Sequence, residues 1–170
     1  AVILMLAVPA FIFLALIASD LVHFLYGPKW VGAAWVLEIL FLAMPAYVIW
    51  GLSTPVLWNT DRRNHEFALQ LPVLAGGALA YYFFAGHGIR TVAVIEALLI
   101  VLRAIVIGFA ALHALQLSWK TLLPHALRGL ALSALCLAVV LATQHAVAWL
   151  SIPLLSLAVS SLAAFAALAL

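Results

Sequence analysis

Between one polar turn and the next, this sequence runs apolar for about twenty residues at a time, the length that carries a helix across bilayer hydrocarbon at about 1.5 Å per residue. Six such runs are read. They cover about Val2 to Leu25, Ala33 to Leu57, Phe67 to Phe84, Thr91 to Leu115, His125 to Val147 and Ile152 to Leu170. The expected fold is all-α, a polytopic transmembrane helix bundle of about six helices forming one domain over residues 1–170. Composition agrees, since 69% of residues are hydrophobic, 7% are charged and mean hydropathy is +1.32. A soluble domain carries about 25% charged residues, so this chain cannot clothe a surface facing water.

The stretch Phe24-Leu-Tyr-Gly-Pro-Lys-Trp30 reads as a turn between the first two helices. Gly27 suits the positive φ that closes a helix, and Pro28 cannot continue one. Tyr26 and Trp30 are amphipathic aromatics that settle at the interface, and Lys29 extends its stem to the headgroups. Prolines also fall inside runs, at Pro9, Pro45, Pro55 and Pro72. They are tolerated where neighbouring helices or Ser and Thr side chains bond the freed carbonyls. Small residues recur at four-residue spacing, at Gly129 and Ser133 and again at Ser156, Ser160 and Ala164, where helix backbones approach closely in lipid.

Basic residues set the expected orientation. Arg62, Arg63, Lys120 and Arg128 follow the second and fourth helices, against Lys29 and Arg90 in the alternate turns, which places the Arg62 turn in the cytoplasm. The net charge of +2 comes from scattered residues that form no patch, so no nucleic-acid partner is expected. Cys136 is the single cysteine, which excludes an intrachain disulfide, and its apolar helix suits a buried, inert thiol. No signal peptide is read, because Ala1 opens directly in an apolar run. With Ala167 to Leu170 ending inside another, the expectation is a part of a longer chain.

Arg103 is the clearest anomaly. It falls near the middle of the fourth run, where it costs at least about 2.5 kcal/mol against lipid and so turns to the bundle interior or a wet cavity. Glu96, seven residues earlier, shares its helical face but stands about 10 Å away along the axis, so the two can line one stripe but are poorly placed for a direct pair. Either Arg103 contacts an anionic substrate group or acts as a switch between carrier states, with Glu96 a second substrate-binding candidate, or Arg103 is a buried residue bonded to carbonyls or to a carboxylate on another helix. Asp20 and His23, three apart near the end of the first run, and Glu38 in the second, are candidates for a proton or ion relay or else interfacial polar residues. Asp61, Arg62, Arg63 and Glu66 read as a solvated loop with roles in topology and at headgroups.

Catalysis finds little support. His65-Glu66 lacks the second His of a metalloprotease helix, the six histidines fall on five different turns or helix ends rather than in ligand spacing, and no nucleophile elbow or paired carboxylates occur. No enzyme activity, cofactor or metal is expected.

The order of these turns resembles polysaccharide, O-antigen and lipopolysaccharide exporters of the multidrug/oligosaccharidyl-lipid/polysaccharide exporter superfamily. The resemblance rests on Pro9, the outer turn Gly27 to Trp30, the polar turn Asn59 to Arg63 and the Gly86-His-Gly88 turn, over about Ala1 to Leu115. The last two runs match only as generic spans. Two features depart: the polar turn reads Trp58-Asn-Thr-Asp-Arg62 where these exporters have an Ala-x-Gly-Arg pattern, and the fourth helix opens Ile89-Arg-Thr-Val-Ala93 rather than with Gly-Ala-Ala. The resemblance implies a transporter of two six-helix lobes in the bacterial cytoplasmic (inner) membrane, of which this would be the later lobe. Its substrate would be a polyprenyl-diphosphate-linked sugar, flipped by alternating access, with Arg103 suited to the diphosphate. Two alternatives stand beside it: a membrane-embedded polyprenyl-linked glycosyltransferase or ligase, and a membrane assembly partner that transports nothing.

Overall fold

The computed structural model describes residues 2–118 together with residues 120, 127, 131, 134 and 138. The expected helices over about 125–147 and 152–170, with Cys136 and the small-residue rows there, lie outside the described residues. Among the described residues the fold is all-helical. It comprises α1 (Val2–Leu16), α2 (Ala18–Tyr26), α3 (Ala34–Asn59), α4 (Arg63–Phe84) and α5 (Ile89–Ala114), with short 3-10 turns at Pro28–Ala33 and Ala85–His87. Three helical stretches, Pro28–Asn59, Arg63–His87 and Ile89–Ala114, are long and apolar enough to cross a membrane, and the bent pair α1–α2 makes a fourth if taken as one span. The count of six is therefore reached only in part.

Two compact units divide the chain, one including Ala1–Glu38 and the other being Ile39–Pro124. In the first, the run expected as one helix is broken. The chain bends by 61° between α1 and α2, at Ile17 rather than at Pro9, which stays inside α1. Asp20 then falls in the first turn of α2, where the positive end of the helix favours an acidic side chain. Gly27 caps α2 as expected, with φ +83° and its N–H bonded to the His23 carbonyl at 2.9 Å. Pro28 opens the 3-10 turn, and the Tyr26 and Trp30 rings lie 6.4 Å apart, both largely exposed.

In the second unit α3 runs unbroken through Pro45 and Pro55. The nearby hydroxyls do not serve the carbonyls that proline frees: Ser53 bonds the Ile49 carbonyl at 2.7 Å, and Thr54 reaches across to α4. Helices α3 and α5 both end in Schellman motifs closed by residues other than glycine. Asp61 (φ +57°) and Gln116 (φ +54°) take the left-handed position. Arg62 N–H then bonds the Leu57 carbonyl at 2.8 Å, and Leu117 N–H bonds that of Leu112 at 2.9 Å, so the last carbonyls of each helix find donors. Arg62 Nη1 donates to His113 Nδ1 at 3.4 Å, linking the two ends.

The unit closes around small contacts. Leu57 and Ile107 are fully buried with Ala111, joining α3 to α5, and Trp50, Val56 and Leu69 pack against them. Gly77 of α4 admits Leu99 of α5 so closely that an added Cβ would stand 2.9 Å from Leu99 Cδ1. Large apolar side chains point outward along all three helices, including Leu79, Leu98, Phe109 and Tyr82, the last 82% exposed. Water would oppose so continuous an apolar surface, whereas lipid tails cover it at no cost.

Candidate functional site

The second unit brings together polar side chains from each of its three helices, two of them from α5. Helix α5 supplies Arg103, close to its midpoint, and Glu96 two turns nearer its start. Helix α4 supplies Tyr81, whose hydroxyl donates to Glu96 Oε2. Helix α3 supplies Trp50, whose ring faces the Arg103 guanidinium with 5.2 Å between its carbon and the ring centroid. That distance is within range of a cation–π contact, strengthened when desolvated. Trp50 is itself held edge-on by Tyr47, with centroids 5.3 Å apart and planes at 89°.

Two donors in this group have no acceptor among the described residues: Trp50 Nε1 and Arg103 Nε are both buried and make no hydrogen bond there. Each such group costs about 1–3 kcal/mol of lost hydration if it stays unpaired. Glu96 does not supply an acceptor: no ion pair joins Glu96 to Arg103 among the described residues, as the two-turn spacing predicts. Tyr81 is hydrogen-bonded to Glu96 instead. The Arg103 guanidinium, with its Nε and the Trp50 Nε1 as unpaired donors, can receive an anionic oxygen.

The other residues singled out in the sequence lie elsewhere. Asp20 and His23 of α2 and Glu38 of α3 belong to the first unit and are exposed, and no hydrogen bond or ion pair joins Asp20 to His23 among the described residues. Sequence reading missed Trp50 and Tyr81. A tryptophan inside an apolar run looks like bulk, and nothing in the sequence separates Tyr81, turned inward to Glu96, from the adjacent Tyr82, turned out.

Glu66 corrects an expectation. The polar turn is shorter than its composition suggests, because α4 already begins at Arg63. That register turns Glu66 under the end of α3, where it is only 3% exposed. Its Oε1 accepts from Thr54 Oγ1 at 2.7 Å and from Gln70 Nε2 at 2.8 Å, and its Oε2 accepts from Trp58 Nε1 at 2.8 Å. It is an inter-helix anchor, not a solvated loop residue.

Set against protein families, curated proteins and solved structures, the chain matches none of them.

Proposed function

We propose that this chain is a lobe of a membrane carrier that flips lipid-linked oligosaccharide across the bacterial cytoplasmic membrane, and that Arg103 and Trp50 receive the anionic diphosphate of the passing lipid. The observation that carries this reading is the pair of buried donors, Trp50 Nε1 and Arg103 Nε, left without acceptors beside a cation at the middle of a membrane-length helix. Intramembrane charges are rare and turn toward substrate paths or internal partners, and no internal partner meets Arg103 Nε among the described residues. The order of the turns in the sequence supplies the substrate class. A diphosphate offers charged oxygens to both donors and is released when the lobes rock to the other side.

The arrangement favours transport over chemistry on the same lipid. Arg103 and Trp50 offer donors to an anion, whereas the one hydroxyl of the group, that of Tyr81, is engaged with Glu96. The test is translocation of a labelled polyprenyl-diphosphate oligosaccharide by the full-length protein in vesicles. Arg103→Leu is expected to reduce the rate at least about tenfold, the worth of one charge-assisted hydrogen bond, with expression and folding kept. Arg103→Lys restores part of it. A rate unchanged in Arg103→Leu would overturn the proposal.

A further inference from the structure

The carrier reading leaves unused the other buried charge of the second unit. Glu66 lines a pocket of about 270 Å³ with Trp58, Arg63, Asn64, Phe67 and Gln70. An ionised carboxylate offers about four acceptor positions. Thr54 and Gln70 fill both on Oε1, while Trp58 fills one on Oε2, which leaves one open. No ion pair neutralises Glu66 among the described residues, and the positive start of α4 offsets only part of its charge. A buried carboxylate in that condition draws a cation that can also donate a hydrogen bond.

The walls narrow the choice. Trp58 and Phe67 both line the pocket and are well exposed, and aromatic rings attract a cation that comes to lie over them. Arg63 stands one turn before Glu66 on α4, so a positive side chain and a negative one flank the same pocket. A lone anion would meet the Glu66 charge, and a lone metal cation would leave Arg63 without a role. A group carrying both charges suits both. Trp58 and Arg63 also lie at the adjoining ends of two membrane-length helices, the depth of lipid headgroups.

We propose that this pocket binds the headgroup of an amine-bearing zwitterionic phospholipid, its primary ammonium donating to the open position on Glu66 Oε2 and its phosphate meeting Arg63. The site shares no residue with Arg103 and Trp50, so it stands or falls apart from the carrier reading.

The experiment uses full-length protein in mild detergent with equimolar phosphatidylethanolamine, phosphatidylcholine and phosphatidylglycerol, reading bound lipid by native mass spectrometry. Wild type is expected to retain phosphatidylethanolamine about tenfold over phosphatidylcholine, whose quaternary ammonium has no N–H to donate. Glu66→Gln abolishes that preference, and Arg63→Gln weakens all three lipids, since the phosphate is common to them. Equal retention of the ethanolamine and choline lipids by wild type overturns the proposal. So does strongest retention of phosphatidylglycerol, which would mark a simple anion site on the arginines, or a preference that survives Glu66→Gln. If Glu66→Gln fails to fold, the wild-type ranking and the exposed Arg63→Gln variant decide the matter: Arg63→Gln that leaves retention unchanged overturns it.

Discussion

Glu66 and Arg103 are both charged groups drawn into an apolar three-helix unit, yet the protein answers them differently. Three side-chain donors from α3 and α4 converge on the Glu66 carboxylate. Arg103 meets the face of Trp50, and its Nε bonds nothing among the described residues. A charge met by three donors ties helices together, and its loss strands those donors. A charge met by an aromatic face, with a donor unused, ties nothing in the same way, and under the proposed function it is the group that receives the substrate.

The sharpest way to break this comparison is to remove the anchor. Glu66→Ala leaves Thr54, Trp58 and Gln70 without their acceptor, and is expected to lower stability by about 2–4 kcal/mol, several donors at 1–3 kcal/mol each with partial relief by water. Unfolding of the purified protein in mixed micelles measures it. A loss under about 0.5 kcal/mol, the scale of an indifferent surface change, would mean that Glu66 holds nothing.

Arg103 is expected to behave in the opposite way. Arg103→Met removes a buried donor without acceptor and substitutes a flexible apolar chain. Stability should therefore stay within about 1 kcal/mol of wild type or rise, as when buried charges give way to apolar residues of similar volume. The same unfolding measurement reads it. A fall of about 3 kcal/mol, the signature of a broken buried pair, would place Arg103 with Glu66 among the anchors.

Tyr81→Phe sharpens the distinction from a third side. It deletes only the hydroxyl whose hydrogen bond Glu96 accepts, leaving a part-buried carboxylate without that donor. The expected loss is about 1–3 kcal/mol. Unfolding in mixed micelles measures it, and a loss under about 0.5 kcal/mol would mean that the hydroxyl does not hold the carboxylate.

How far these features could be read beforehand depended on whether their cause was local. The runs that became α3, α4 and α5 were legible within a few residues, because length and apolarity decide a membrane-length helix. Arg103 was legible for the same reason, as a charge where lipid forbids one. The bend at Ile17 was not, since no breaker stands there, while Pro45 and Pro55, which do break helices in isolation, are absorbed. Nor were the ends of α3 and α5, closed by Asp61 and Gln116 in a conformation usually left to glycine. Glu66 was misread because its role follows from helix register. With α4 starting at Arg63, a polar residue that looks solvated in sequence falls beneath Thr54 and Trp58. Trp50 became part of the site only through packing against a helix about fifty residues away.

The smallest effect tests the packing that sets Tyr81 against Glu96. Two adjacent glycines in α4 differ in what surrounds them: a Cβ on Gly76 meets nothing within 4 Å, whereas one on Gly77 meets Leu99 Cδ1 at 2.9 Å and Cδ2 at 3.3 Å. Alanine is the better helix former by about 1 kcal/mol, so Gly76→Ala should be neutral or stabilising by up to that amount. Gly77→Ala gains the same propensity but forces the Leu99 side chain to shift, an overpacking cost of about 1–3 kcal/mol. The net loss should be about 1 kcal/mol and should shrink when Leu99→Ala is added, since the two groups then no longer collide. If Gly77→Ala is as benign as Gly76→Ala, helices α4 and α5 have room to spare. The Tyr81–Glu96 bond would then be held by its own attraction rather than by the fit of the helices, and Tyr81→Phe should loosen the pair.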